Sequence, residues 1–209
     1  SRLNTLASTY RDADGVHARL LVHDAAHGLE MISLAARFGR GLPGNVIPLE
    51  VDALSGFGHA EMLAALACGF EYVDILMSPK TEQDVIQAQA ELACAMAGAK
   101  SIRLLHSADP DALCDVLYQD VEDAVSCAPI LPMGSRRQVA RLAAKTLQPD
   151  AAVIDLPPNA PYGTIVVDTD ACTLCLSCVS LCPSGALGDN SDLPQLRFQE
   201  DACLQCGLC

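Results

Sequence analysis

Aromatic residues are scarce in this chain, and tryptophan is absent. Only four Phe and four Tyr occur among 209 residues, whereas hydrophobic residues make up 51% of the composition. The core must therefore be built from aliphatic side chains. Because Ala and Leu dominate, we expect closely packed helices on a sheet.

Basic residues are also few. The chain has 13 Lys and Arg against 26 Asp and Glu, which gives a formal net charge of −13. An acidic surface would repel a phosphate backbone, so we predict no nucleic-acid partner. Basic protein partners, or simple solubility, fit this charge better.

Long apolar runs are missing as well. No run is long enough to cross a bilayer, and no charged and then apolar leader precedes the first predicted strand. We therefore predict no membrane span. Because the chain begins at Ser1 and ends on Cys209, we expect a piece of a longer protein, from which any targeting signal could have been removed.

Cysteine is abundant, and seven of the 11 cysteines lie in two runs near the end of the chain. The first run has the spacing C-x₂-C-x₂-C-x₃-C-P, and the second repeats its first three positions. A short loop that curls around a 4Fe–4S cluster can supply three sulfurs only if they follow one another closely. We therefore predict seven cofactor-binding metal ligands: Cys172, Cys175, Cys178, Cys182, Cys203, Cys206 and Cys209.

The two runs predict crossed ligand sets. In such motifs the fourth thiol of each run binds the cluster of the other run. Cys182 would then complete the set of Cys203, Cys206 and Cys209, whereas Cys172, Cys175 and Cys178 lack a fourth thiol. We expect one complete 4Fe–4S ligand set in this chain and two clusters in the full-length protein.

Zinc and disulfides are the alternatives for these thiols. Structural zinc sites usually combine two well-separated pairs of cysteines, which three closely spaced thiols fit poorly. Disulfide frameworks belong to small secreted domains, and nothing in the sequence indicates secretion. Cluster ligands and free thiols suit a reducing compartment, so we predict a cytoplasmic location.

Residues 162–209 resemble the bacterial dicluster 4Fe–4S ferredoxin family. Residues 162–167 resemble the leading strand of that family, and residues 183–187 its exit turn. The resemblance implies a small α+β iron–sulfur domain. The missing eighth cysteine departs from the family pattern and makes this domain incomplete at its C-terminus.

The first part of the chain predicts an α/β fold. After a polar lead-in through Gly15, apolar strand patterns alternate with helical patterns, and Asp109-Pro110 and Ser135 with Gln138 mark helix starts. Such alternation predicts a parallel sheet with helices on both faces. The predicted strands are 19–23, 45–51, 72–77 and 101–106. The predicted helices are 25–38, one that ends at Gly69, 81–98, one that begins after Asp109 and one that begins at Ser135.

Prolines cluster between the two parts of the chain, at Pro149, Pro157, Pro158 and Pro161. We therefore predict an α/β docking domain at 1–148, a proline-rich linker at 149–161 and the iron–sulfur domain at 162–209.

Polar residues follow the predicted strands, where ligands of parallel sheets bind. They are His23, Asp24, Asp52, Ser78 and His106, with His27 and His59 in the turns that follow. Metal binding or proton transfer is one interpretation. Helix capping and hydrogen bonding to loops is the interpretation we prefer. The spacing of His23 and His27 is like that of a zinc-protease box, but the strand context excludes one.

Two further features have a structural and a functional interpretation. Residues 55–59 form a glycine-containing turn that could receive an anion on its amides, although a tight connection is the preferred explanation. The remaining cysteines, Cys68, Cys94, Cys114 and Cys127, are scattered. We interpret them as small buried hydrophobic residues rather than as ligands of a third cluster.

The pattern of small residues between the predicted strands resembles the delta subunit of methyl-viologen-reducing hydrogenase, from Val51 to Gly56 and from Ala64 to Val73, and on to residues 101–104. That family is also fused to heterodisulfide reductase subunits, and it relays electrons between a hydrogenase or formate dehydrogenase and an acceptor. The family's cysteines near the strand ends are replaced here by Ser55-Gly56 and Ser78-Pro79.

These patterns together predict an iron–sulfur protein that passes single electrons to redox partner proteins. Two alternatives remain: an electron-relay subunit of a larger oxidoreductase of the hydrogenase, formate dehydrogenase or heterodisulfide reductase type, and a redox-sensing interaction module. No residue for substrate turnover is predicted.

Overall fold

The computed structural model describes residues 2–107, 109–122 and 124–209. The chain forms two compact units, one up to Pro157 and one from Pro158 to Cys209. The first unit is an α/β structure and the second is a small cysteine-rich one.

The first unit contains six α-helices and four β-strands in its described residues. In chain order they are α1 Arg2–Asp12, β1 Arg19–Asp24, α2 His27–Phe38, β2 Val46–Val51, α3 His59–Ala67, β3 Tyr72–Leu76, α4 Gln83–Ala97, β4 Ile102–Leu105, α5 Pro110–Leu117 and α6 Arg136–Leu147. The strand and helix order after α1 is the predicted one.

The four strands form one parallel sheet in the order β2-β1-β3-β4. Arg19 of β1 lies opposite Val46 of β2 and Tyr72 of β3, and Val73 of β3 lies opposite Ile102 of β4. Parallel neighbours require crossover connections, which the intervening helices provide. The sheet confirms the predicted α/β class.

Helices cover both faces of the sheet. Leu21 packs in a buried cluster with Met31 of α2 and Leu113 of α5. Its neighbours Leu20 and Val22 are completely buried on the opposite face, because successive strand residues point to opposite sides. On that second face α3 packs against α4 and α6.

Side-chain caps explain where two of the helices begin. The Asp109 carboxylate accepts a hydrogen bond from the backbone N–H of Ala112 at 2.8 Å, as predicted from Asp109-Pro110. Ser135 and Gln138 form the predicted capping box at the start of α6. The helix predicted from residue 81 begins later, at Gln83, and Glu82 provides no side-chain cap.

Helix α1 lies in the polar lead-in, where no element was predicted. Ala7 is its only buried residue, and the Arg11 guanidinium donates a 2.8 Å hydrogen bond to the Cys68 carbonyl. These long-range contacts stabilise a helix that local hydrophobic periodicity did not indicate.

A buried ionic network links β1, β3 and β4. The Asp74 carboxylate is fully buried and lies 2.7 Å from Arg19 Nη2 and 2.8 Å from Arg103 Nε. Arg19 also donates to the Leu117 carbonyl at 2.8 Å. The sequence showed Asp74 only as an interruption of an apolar strand, because its partners are distant along the chain.

The second unit contains α7 Ser177–Leu181 and an antiparallel pair of strands, β5 Leu187–Asp189 and β6 Leu196–Phe198. The small α+β class is therefore as predicted. No strand is assigned to residues 162–167, where the leading strand was expected. The structure describes this unit throughout, and only Ala186 and Leu187 are buried in it.

Within the described parts of the chain, no helix combines the length and the apolar character that crossing a membrane requires.

Candidate functional site: two cysteine loops in the second unit

The two cysteine runs form loops of matching backbone shape. In the first loop, the residues on either side of Cys175 are left-handed, with φ of 54° at Leu174 and 60° at Leu176. In the second, Gln205 and Gly207 flank Cys206 in the same way, with φ of 56° and 71°. Alternating left-handed residues curl a loop and turn backbone N–H groups towards its inside.

Short turns place the first cysteine of each loop. The N–H of Cys172 donates to the Asp168 carbonyl at 2.9 Å, and the Asp168 carboxylate accepts from the N–H of Asp170 at 3.0 Å. In the second loop the N–H of Cys203 donates to the Glu200 carbonyl at 3.0 Å. Both loops therefore begin from a hydrogen-bonded turn that ends at a cysteine.

Four thiols surround one cavity of about 180 Å³ in the second unit: Cys182, Cys203, Cys206 and Cys209. This group joins the last cysteine of the first run to all three of the second. Apolar side chains, among them Ile165, Leu187 and Phe198, complete the wall. The set that lines the cavity is the one that crossed ligation predicts to be complete.

The first three thiols are arranged differently. Cys172 lines a separate cavity of about 320 Å³ with Leu174 and Leu196, and neither Cys175 nor Cys178 lines it. Among the residues that the structure describes, no three His, Cys, Asp or Glu side chains converge closely enough to hold a metal ion. Cys182, Cys203, Cys206 and Cys209 thus line one cavity, although their side chains are not close enough together to hold a single metal ion.

Hydrogen bonds favour the ionised form of two of these thiols. A backbone hydrogen bond from Leu187 is the largest cause that lowers the pKa of Cys182 to about 7, and the Ser184 hydroxyl, 3.7 Å from the sulfur, acts in the same direction. The Ser177 hydroxyl lies 3.4 Å from the Cys175 sulfur and lowers the pKa of that thiol.

A backbone amide also contacts a sulfur directly. The N–H of Gln205, one of the left-handed residues, donates to Cys203 Sγ at 3.4 Å. Amide hydrogen bonds of this kind stabilise charge on a sulfur ligand, and they help to set the reduction potential of iron–sulfur sites.

The four cysteines of the first unit have a different environment. Burial raises the pKa of Cys68, Cys94 and Cys127. Cys114 is buried, and its sulfur lies 3.6 Å from the Gly41 carbonyl. These thiols pack and donate weak hydrogen bonds in the protein interior, as small hydrophobic residues do.

The polar residues after the strands separate into two groups. Asp24, His27, Asp52 and Ser78 line one open cavity of about 640 Å³ at the carboxyl edge of the sheet. His23 is buried with Nδ1 2.9 Å from the Asp24 carbonyl oxygen, and His106 is exposed and does not line this cavity.

Local hydrogen bonds account for much of this group. The Asp24 carboxylate accepts from the N–H of Gly28 at 2.6 Å in the first turn of α2. At the start of α3, Gln89 Oε1 accepts from the N–H of His59 at 3.1 Å and lies 2.6 Å from His59 Nδ1. The N–H of Gly58 donates to Glu61 at 3.1 Å. The backbone N–H groups of Gly58 and His59, which could have bound an anion, therefore already donate to side chains of the protein.

Residues 164–209 match the family model of the 4Fe–4S dicluster domain. The C-terminal unit is therefore similar to 4Fe–4S dicluster domains. The match confirms the predicted resemblance to dicluster ferredoxins and supports an iron–sulfur, electron-transfer role for this module. Curated proteins and solved structures give no significant match.

The match does not extend into the first unit. The resemblance of that unit to the hydrogenase delta subunit stays a prediction, and so do the individual cysteine ligands.

Proposed function

We propose that the dicluster module passes single electrons between redox partner proteins through 4Fe–4S clusters held by Cys172, Cys175, Cys178, Cys182, Cys203, Cys206 and Cys209. The observation that carries this proposal is the cavity of about 180 Å³ that Cys182 shares with the three thiols of the second run. That cavity supports one complete ligand set within this chain.

The donor set fits a 4Fe–4S cluster. Each of its four irons takes one thiolate, and four thiols line this cavity. Because the pKa of Cys182 is lowered to about 7, a large part of this thiol is already ionised at neutral pH. The matching loop of Cys172, Cys175 and Cys178 would supply three ligands to a second cluster.

A bound cluster would supply reversible one-electron chemistry. The protein would hold and orient the cluster and shield it from water. The N–H of Gln205 would stabilise negative charge at Cys203, and the side chains of Ile165, Leu187 and Phe198 would limit water at the cavity.

The first unit is proposed as a docking domain, with residues 1–148 followed by a linker at 149–161. In this arrangement the chain is an electron-relay component, and a catalytic centre would lie in a partner. Because all 11 cysteines are free thiols, a reducing cytoplasm is the compartment that we propose.

The test is anaerobic reconstitution with iron and sulfide, followed by electron paramagnetic resonance of the dithionite-reduced protein. We expect stoichiometric iron and sulfide and the spectrum of a reduced 4Fe–4S cluster. Cys127→Ser, which removes a thiol of the first unit, is the control and should give the same result. A protein that binds no iron and accepts no electrons would refute the proposal.

A further inference from the structure

Helix α6 concentrates positive charge in an acidic chain. Its 12 residues contain Arg136, Arg137, Arg141 and Lys145 and no Asp or Glu. Since the chain has 13 Lys and Arg in total, nine remain elsewhere against 26 Asp and Glu. No other described helix has so large an excess of one charge.

The fold presents much of this charge at the surface. Ala140, Ala143 and Ala144 are buried, and this small-residue face lets α6 pack closely on α3. The opposite face is exposed at Gln138, Arg141, Leu142 and Lys145, the spacing of one helix face. Arg136 is exposed as well, and Arg137 is half-buried.

Apolar side chains accompany the basic ones. Leu142 is 46% exposed on α6, and Leu131 and Met133 are 43% and 70% exposed in the segment that leads into the helix. Arg and Met together with exposed apolar groups are enriched in protein–protein interfaces, whose centres carry much of the binding energy. We call residues 131–133 and the exposed side of α6 the basic face.

The positive field of this face extends beyond α6. Arg136 forms an ion pair with Glu61 at 2.6 Å while 65% of its side chain stays exposed. Burial is the main cause that lowers the pKa of His59, and the charges of Arg136 and Arg137 lower that pKa further, whereas the Gln89 hydrogen bond and the charge of Glu61 raise it. The charges of Arg136 and Arg137 therefore act at the beginning of α3 as well as on α6.

We propose that the basic face is the docking site for an acidic protein that exchanges electrons with the dicluster module. The inference rests on the function proposed above. In each exchange one partner loses one electron and one cluster gains it, and no atom is transferred. The basic face is the complement of an acidic patch on the partner.

The size and surroundings of the basic face favour a protein over other polyanions. A 12-residue helix is about 18 Å long, which suits a discrete patch on a protein. The large acidic excess of the remaining chain would repel an extended duplex or an anionic membrane plane. A compact acidic carrier can contact the face and avoid most of that repulsion.

The test measures binding of the full chain to an acidic flavodoxin as the probe, at ionic strengths from about 0.01 M to 0.15 M. Both proteins have a net negative charge, so without a basic docking face their association would strengthen with salt. We expect the affinity to fall with salt instead. Arg141→Glu/Lys145→Glu should weaken binding at low salt by at least about tenfold.

Arg37→Glu/Lys100→Glu is the matched control, because it makes the same change in net charge at exposed residues outside α6. It should keep the affinity and its salt dependence. Leu142→Ser, which leaves the charge unchanged, should also weaken binding. Circular dichroism of each variant checks that the helices are intact.

Equal affinities of the α6 and control variants, or no salt-weakened binding by the unchanged protein, would overturn the docking proposal. So would tighter binding of duplex DNA or anionic vesicles through α6. Reduction by dithionite separates the two proposals. If the clusters accept electrons from dithionite but the flavodoxin does not bind, only the docking site is wrong. If they accept none, the proposed function is wrong.

Discussion

The two units place the same side chain, cysteine, in opposite environments. In the first unit burial raises the pKa of Cys68 and Cys94, and both lie among packed helices and strands. In the second unit hydrogen bonds lower the pKa of Cys175 and Cys182. The first environment makes a thiol inert, and the second favours the thiolate, which is the form of cysteine that binds metals.

The units also differ in what stabilises them. Aliphatic side chains fill the space between the sheet and the helices of the first unit, as Leu20, Leu21 and Val22 illustrate. The second unit has roughly 50 residues, of which only Ala186 and Leu187 are buried in this fully described segment. A domain of that size needs an additional stabilising element, such as a metal centre, and a bound cluster would provide one.

The largest effect should come from removing iron. We predict that apo-protein exchanges its amide hydrogens faster across residues 164–209, because a bound cluster would stabilise a unit that has so few buried side chains. The first unit should keep its protection in the same sample. Hydrogen exchange followed by mass spectrometry measures both units at once. A module that stays protected without iron would show that its few buried side chains suffice.

The first unit should instead be sensitive to its ionic network. Asp74→Ala leaves Arg19 and Arg103 without their buried carboxylate, and we predict a loss of about 3–5 kcal/mol in the free energy of unfolding. Denaturant titration of the first unit measures the change.

Arg136→Ala removes an exposed ion pair with Glu61 and serves as the comparison, with an expected loss below about 1 kcal/mol. Equal effects of the two variants would show that burial of the Asp74 network is unimportant for stability.

Thiol reactivity sharpens the contrast between the units. A lowered pKa means that the thiolate persists to lower pH. In apo-protein, alkylation of Cys182 should therefore rise with a midpoint near pH 7, because its pKa is about 7. Cys127 should react only at higher pH, since burial raises the pKa of its thiol. Alkylation rates per residue, from mass spectrometry over a pH series, would test this. Identical profiles in native protein would contradict the account.

The smallest effect concerns the shape of the cysteine loops. Gly207 has φ of 71°, which a residue with a Cβ adopts at a cost of roughly 1 kcal/mol. Gly207→Ala should therefore speed iron release to a chelator about fivefold. Gly188→Ala is the control, because that glycine has open space around it and no positive φ. Equal release rates in the two variants would indicate that the left-handed shape is dispensable.

Local patterns predicted the order of strands and helices, because apolar periodicity and caps such as Asp109 and Ser135 act over a few residues. Helix α1 escaped prediction, since distant contacts such as that of Arg11 with Cys68 hold it. The absence of a strand at 162–167 has a similar cause, since a strand requires a partner that sequence alone does not reveal.

The candidate site shows the same division between features that local sequence predicts and features that depend on distant contacts. Close spacing along the chain predicts the seven cysteines as ligands, whereas the cavity shared by Cys182 with the second run depends on the fold. The basic face was also missed, because the net charge of −13 conceals four cations on one helix.

The most direct test of the account is the iron and sulfide content of two anaerobically reconstituted variants, Cys182→Ser and Cys178→Ser. If Cys182 completes the ligand set of Cys203, Cys206 and Cys209, Cys182→Ser should lose the roughly four irons of that cluster, whereas Cys178→Ser should keep them. Loss of these irons from Cys178→Ser, or their retention by Cys182→Ser, would contradict the crossed ligand set.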